Sequence, residues 1–230
     1  MTARQIAQLL PSTVAALVLA ASAPAAEVGE LGPQRTQVWS QSSDGLGIGP
    51  QAGAEFGAAL AAGDFDCNGF DDLAIGMPGD DLVGAPAGGR VVILYSDAFG
   101  PSATDRQIWS QNSPVIEDDG EPSDRFGEVL AAGDLSGDGC DDLVIGVPAE
   151  DIGADSSAGA VHVLYGSTLG LTGDDDDFFY QGLASINGLG EEGDRFGAAV
   201  AIGDFDDDGI GDLAIGSPGE DVESEGVENS

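Results

Sequence analysis

The sequence has no lysine, a single histidine and only two cysteines among its 230 residues. Its six basic residues are all arginines and face 42 acidic residues, so the formal net charge is −36. A surface this negative repels phosphate groups, which argues against nucleic acid or an anionic membrane as a partner and favours cations. Two cysteines cannot build a disulfide framework, and the sequence contains no His or thiolate cluster for a transition metal.

The composition nevertheless predicts a folded chain. Hydrophobic residues make up 42% of the sequence and occur in short blocks of Val, Ile, Leu and Ala, so a core can form despite the charge. Glycine, with 37 residues, is far above its usual share of about 7% and indicates many tight turns. His162 lies in a predicted strand with no nucleophile–base pair around it, which favours a structural role and a chain without catalysis of its own.

The N-terminus has the pattern of an export signal. Arg4 supplies a positive charge, an apolar stretch follows, and Ala23-Pro24-Ala25 is an A-x-A cleavage site. This stretch is too short and too interrupted to span a bilayer, and no later segment is apolar enough to do so. The sequence therefore predicts a signal peptide over 1–25, a short linker over 26–34, and a secreted or cell-surface protein.

The rest of the chain consists of three copies of one sequence repeat. The Phe-Gly pairs at Phe56, Phe126 and Phe196 lie 70 residues apart, and Trp39-Ser-Gln recurs at Trp109 at the same interval. Each unit predicts four short strands, and its second and third strands are continuous apolar runs expected to be buried on both faces. Four-stranded sheets that cover each other in this way predict an all-β fold, a β-propeller.

The predicted propeller is incomplete, with about three blades over residues 35–221 and an acidic tail over 222–230. Two units are full, with cores at 56–111 and 126–181, and the third, at 196–218, stops before its last strands. Propellers close with four to eight blades. We therefore expect self-association to cover the exposed end of the array.

Acidic loops between the first and second strands predict about three calcium sites. Oxygen-bearing side chains occupy positions 1, 3, 5 and 9 of each loop, glycine at position 6 permits a sharp turn, and the carbonyl at position 7 can point inward. The candidate ligands are Asp64, Asp66, Asn68, Phe70 and Asp72; Asp134, Ser136, Asp138, Cys140 and Asp142; and Asp204, Asp206, Asp208, Ile210 and Asp212. We expect the third loop, with four carboxylates, to bind most tightly and the second most weakly.

Two other interpretations of the loops are weaker. An EF-hand needs a glutamate at position 12, where this chain has isoleucine, and flanking helices rather than strands. A solvated acidic turn explains one such loop better than three copies in register.

Outside the loops, we expect Asp174 to Asp177 to be solvated surface. The sequence leaves open whether Cys67 and Cys140 pair after export, because they occupy different positions, 4 and 7, of consecutive loops.

The Phe-Gly pair, the Asp loop and the run Asp72 to Pro78, with their copies, resemble the FG-GAP repeat of integrin α-chain propellers and their bacterial relatives. The resemblance implies a β-propeller with calcium at Asp64, Asp66, Asn68, Asp72 and their equivalents. It also implies a role in cell adhesion or extracellular protein interaction. One branch of the family is attached to a phospholipase D catalytic domain, so an accessory segment of a secreted hydrolase is the alternative function.

Overall fold

The structure is a computed structural model, and it describes residues 37–183, 186 and 189–220. The predicted signal peptide, the linker and the acidic tail at 222–230 lie outside the described residues. The described part of the chain contains no helix, and so no helix long and apolar enough to cross a bilayer. It contains ten strands: β1 Leu60–Gly63, β2 Asp72–Met77, β3 Arg90–Asp97, β4 Gly100–Trp109, β5 Val129–Gly133, β6 Asp142–Val147, β7 Ala160–Tyr165, β8 Thr172–Phe179, β9 Ala199–Gly203 and β10 Asp212–Gly216.

The strands form three antiparallel sheets, one for each sequence repeat. The first two sheets have the orders β1-β2-β3-β4 and β5-β6-β7-β8, and the third consists of β9 and β10. The register repeats with the sequence, since Leu60 pairs with Ile75 and Leu130 with Ile145. Trp39, in the first copy of the Trp-Ser-Gln motif, forms a single bridge outside the named strands and packs against the first sheet.

Apolar side chains fill the space between consecutive sheets, as the continuous runs of the second and third strands predict. β2 and β6 are buried along their whole length. Their side chains join cores on both faces, so Leu143 and Ile145 pack toward the first sheet while Val144 packs toward the third. The first strands β1, β5 and β9 lie side by side. The architecture is thus an incomplete β-propeller, as predicted, and β10 is only half-buried.

The second-strand glycines allow consecutive sheets to approach closely. A Cβ added to Gly76 would lie 2.1 Å from the carbonyl oxygen of Gly127, and one added to Gly146 would lie 2.3 Å from that of Gly197. Gly127 and Gly197 belong to the Phe-Gly pairs of the next repeats, and both have positive φ. The 70-residue motif therefore marks the backbone contact between neighbouring blades.

The acidic run in β8 was expected to be solvated. Asp174 and Asp177 are exposed, but the expectation is wrong for Asp176. Asp176 is buried rather than solvated, and its Oδ2 lies 3.4 Å from Nδ1 of His162. The imidazole is fully buried and stacks on Phe178 at a centroid distance of 4.6 Å. An inward-pointing position in a strand decides this burial, whatever the charge of the neighbouring residues. His162 has the structural surroundings that the sequence indicates.

Candidate metal centres

The acidic loops connect β1 to β2, β5 to β6 and β9 to β10, and they share one backbone conformation. Position 4 has positive φ in each loop, 56° at Cys67, 74° at Gly137 and 64° at Asp207. Position 6 is a glycine with φ between 88° and 90° in all three loops. Nothing lies within 4 Å of a Cβ added at Gly69 or Gly139, so these glycines are required by the backbone conformation and not by crowding.

Three carboxylates converge in the first loop. Carboxylate oxygens of Asp64, Asp66 and Asp72 lie within 4.8 Å of one another. The Asp64 side chain accepts hydrogen bonds from the backbone N–H groups of Asn68 and Gly69, both at 2.8 Å, which holds the turn closed. Asn68 Oδ1 accepts a bond from the Phe70 N–H, and its Nδ2 donates to the Ser96 carbonyl. The loop thus brings its acidic groups to one side of a tight turn.

The third loop also brings three carboxylates together, but from positions 1, 3 and 5 instead of 1, 3 and 9, and the second loop does not. Carboxylate oxygens of Asp204, Asp206 and Asp208 lie within 4.8 Å of one another on an exposed loop. In the second loop position 3 is Ser136, whose Oγ lies 3.4 Å from an Asp134 carboxylate oxygen. No group of three carboxylates forms there among the described residues. The side chain at position 3 therefore decides whether three charges meet.

The position-9 aspartates are also structural. Asp72 accepts hydrogen bonds from the N–H groups of Phe65 and Ser96, at 3.0 and 2.7 Å. Asp142 is fully buried and accepts three, from Leu135, Ser136 and Gly166. Asp212 accepts one from Phe205 at 2.7 Å. Burial raises the pKa of Asp72 to about 7 and also raises the pKa of Asp142, while these hydrogen bonds oppose the shift.

The position-7 residues stay inside the loop. The backbone N–H groups of Phe70, Cys140 and Ile210 donate to the side chains at position 5, which are Asn68, Asp138 and Asp208. These bonds fix the backbone next to each acidic cluster. Ligation by the position-7 carbonyls stays a prediction.

Consecutive loops stack on each other and are joined covalently in one case. Cys67 and Cys140 form a disulfide with a Cα–Cα distance of 5.0 Å. The equivalent residues of the next pair of loops, Gly137 and Ile210, are also in contact, because a Cβ on Gly137 would lie 3.0 Å from Ile210 Cδ1. Position 4 of one loop thus meets position 7 of the next, which resolves the pairing that the sequence left open.

The donor set fits a hard divalent cation. Carboxylate, amide and hydroxyl oxygens line the loops, and these are calcium ligands rather than the nitrogen and sulfur ligands of transition metals. Arginine side chains in the described residues form ion pairs with Asp80, Glu55 and Glu128, and none pairs with a loop carboxylate. Within the described part of the chain, no side-chain cation therefore balances these converging charges.

Comparison with known proteins agrees with the repeat pattern. The FG-GAP repeat family model matches residues 56–94, 126–164 and 196–230. The chain belongs to the FG-GAP repeat family. It is 33% identical over 165 residues to phosphatidylinositol-glycan-specific phospholipase D of Rattus norvegicus, covering 72% of this chain and 19% of that protein. It is 33% identical over 178 residues to integrin alpha-PS2 of Drosophila melanogaster, covering 74% of this chain and 11% of that protein.

Integrin alpha-M of Mus musculus is 31% identical over 179 residues, covering 74% of this chain and 14% of that protein. The chain therefore spans less than a fifth of the length of each of these three relatives. The similarity covers the FG-GAP repeats.

Two features of this FG-GAP array were missed by sequence reasoning. Asp141, at position 8, accepts a hydrogen bond from the Asp64 N–H at 2.8 Å and so ties the second loop to the first. A second acidic cluster, made of Glu121, Asp124 and Glu150, lies away from the loops. Its signal in the sequence is the 70-residue interval, because Glu191, Asp194 and Glu220 repeat all three residues.

Proposed function

We propose that this chain is a calcium-binding FG-GAP module of an exported protein, which binds an extracellular protein or surface ligand and has no catalysis of its own. The observation that carries the calcium assignment is the convergence of three carboxylates in each of two loops, from positions 1, 3 and 9 in the first loop and from positions 1, 3 and 5 in the third. Calcium prefers six to eight oxygen ligands in a flexible shell. The position-5 and position-7 groups and water would complete the shell.

Calcium is expected to stabilise the fold, because it binds the native loops and removes carboxylate repulsion. At free calcium near 100 times Kd, each site adds about 2.7 kcal/mol, or roughly 5–10 °C in Tm for a chain of this size. Thermal melts with calcium and with chelator measure this rise. The position-matched variants are Asp64→Asn, Asp134→Asn and Asp204→Asn, which keep the side-chain volume.

The ranking of the loops follows from their carboxylates. Asp204→Asn is expected to remove the largest share of the calcium-dependent rise in Tm. Asp134→Asn should remove the smallest share, since the second loop has Ser136 at position 3. Asp71→Asn is the matched control, with the same charge change in an exposed position-8 residue of the first loop. No rise in Tm with calcium would remove the metal assignment. A larger loss from Asp134→Asn than from Asp204→Asn would overturn only the ranking.

Export is expected from the A-x-A site, which lies outside the described residues. N-terminal sequencing of secreted material should find a start at Ala26 or Glu27, after cleavage behind Ala25 or Ala26. Material that begins at Met1 would contradict this prediction. The disulfide between Cys67 and Cys140 supports export, since such bonds persist in oxidising compartments.

The interaction role rests on the extracellular relatives and on surface left open by the described blades. Phe205 is 66% exposed, whereas its equivalent in the first loop, Phe65, is fully buried by the next sheet. A further blade or a second copy of the chain would cover this surface. The similarity to phosphatidylinositol-glycan-specific phospholipase D favours one alternative, an accessory segment of a secreted hydrolase.

A further inference from the structure

The second acidic cluster lies at the connection between the first two sheets. Asp124 and Glu121 belong to the segment that follows β4 and leads to β5, and Glu150 follows the end of β6. Carboxylate oxygens of the three residues lie within 4.8 Å of one another. The acidic loop of this repeat precedes β6, so the six-residue strand, about 20 Å long, separates the cluster from the loop.

Two of the three carboxylates are buried without a positive charge. Asp124 and Glu150 are each 1% exposed, and Glu121 is exposed and opens the cluster to solvent. No arginine of the described residues forms an ion pair with any of them. Burial and the neighbouring Asp124 and Asp118 carboxylates raise the pKa of Glu150 well above its usual range. A buried group of like charges needs a compensating ion or proton.

A buried amide without a full set of partners contacts the same cluster. Gln111 is 1% exposed, and its Nε2 donates to Glu150 Oε2 at 2.5 Å. Its Oε1 has no hydrogen-bond partner among the described residues. An unpaired buried carbonyl oxygen costs free energy unless it binds a donor or a cation. The amide that contacts Glu150 therefore has a buried oxygen that is free to bind a cation.

The first repeat holds a protein cation where the second repeat has none. Asp80, 70 residues before Glu150, is buried and forms an ion pair with Arg90 at 2.8 Å. The residue equivalent to Arg90 in the second repeat is Ala160, and Gln51 and Ala54 replace the two acidic residues in the first. Compared with the first repeat, the second repeat lacks the arginine and has two more carboxylates. Its excess of negative charge is therefore larger and favours binding of a cation from solution.

In the third repeat a hydroxyl group satisfies the equivalent amide oxygen. Gln181 is equivalent to Gln111 and donates through Nε2 to Glu220, as Gln111 does to Glu150. Its Oε1 accepts a hydrogen bond from Ser217 Oγ at 3.1 Å. The equivalent of Ser217 in the second repeat is Val147, which has no hydroxyl. The unpaired oxygen is therefore specific to the cluster around Glu150.

We propose that Glu121, Asp124 and Glu150, with the Oε1 atom of Gln111, form a divalent-cation site separate from the acidic loops. The ligands are all oxygens, so the site takes a hard cation of the calcium class, with water completing the shell on the side of Glu121. The bound ion fastens the connection that follows β4 to the end of β6. It therefore stabilises the contact between the first and second blades.

The number of calcium ions bound by the full chain tests this site. Equilibrium dialysis at millimolar free calcium should show that Glu150→Gln and Asp124→Asn each bind one ion fewer than the unchanged protein. Asp119→Asn is the matched control, because it makes the same charge change at an exposed residue of the same segment and should bind the full number. Ala160→Arg places an arginine at the position of Arg90 and should also remove one ion.

The outcomes separate this site from the loops. Unchanged calcium binding in Glu150→Gln and Asp124→Asn overturns the proposal, and the loop sites stand or fall on their own variants. In chelator, Glu150→Gln should melt at or above the temperature of the unchanged protein, because it removes a buried charge that lacks a partner. A folded Glu150→Gln protein that binds one ion fewer supports the site. If Glu150→Gln melts well below the unchanged protein in chelator, Glu150 has a structural role instead.

Discussion

Replacing both Cys67 and Cys140 with serine is expected to lower the free energy of unfolding by about 4 kcal/mol, or on the order of 10 °C in Tm. The bond joins residues 73 positions apart, so it removes a large part of the chain entropy of the unfolded state. It also joins two candidate metal loops from neighbouring blades. Thermal melts with and without reductant measure the effect.

The control for this prediction is the double serine variant itself, whose Tm should not respond to reductant. The next pair of loops offers a test in the opposite direction. Gly137→Cys with Ile210→Cys should form a second bridge and raise the Tm, because these residues occupy the same two loop positions. Gly137→Ser with Ile210→Ser should not raise the Tm. An unchanged Tm in the unmodified protein after full reduction would contradict the prediction.

Gly146→Ala is expected to lower the free energy of unfolding by about 3 kcal/mol. The added Cβ would lie 2.3 Å from the Gly197 carbonyl oxygen and 3.0 Å from Val129 Cβ, so the third sheet must move away from the second. The neighbouring atom is backbone and cannot swing aside. Chemical denaturation of the full chain measures the loss.

Gly216→Ala is the matched control, because Gly216 holds the same place in the third repeat. Its added Cβ would meet the nearest atom, Ala199 Cβ, at 3.4 Å, which is an ordinary contact. We expect a change within about 0.5 kcal/mol. Equal losses at the two positions would show that an effect of glycine in a strand, and not the contact between blades, is responsible.

The repeat pattern was enough to predict most of the fold. The continuous apolar runs expected as the second and third strands form β2 and β3 in the first repeat and β6 and β7 in the second. Continuous apolar runs are a strong signal because a strand covered on both faces tolerates few polar residues. The burial of Asp176 was not predicted, because a run of four aspartates is typical of exposed surface. Side-chain alternation along the strand nevertheless turns Asp176 inward.

The candidate loops were found from spacing alone, but the structural role of their position-9 aspartates was not. Position 9 contains an aspartate in every repeat, and the sequence indicates a ligand there. In the structure Asp142 accepts three backbone hydrogen bonds, so it would be required without any metal. The cluster around Glu150 was missed because its residues come from two separate segments and follow no known local motif.

The sequence by itself determined the four-stranded blade, its 70-residue repeat and the place of the acidic loops. These features depend on local alternation, turn glycines and short-range spacing, which a linear pattern records. The tertiary structure alone decided how the blades meet. The stacking of consecutive loops places position 4 beside position 7 and joins Cys67 to Cys140. The segment after β4 meets the end of β6 and brings Asp124 to Glu150. Such contacts depend on the offset between neighbouring sheets. No local sequence pattern encodes that offset.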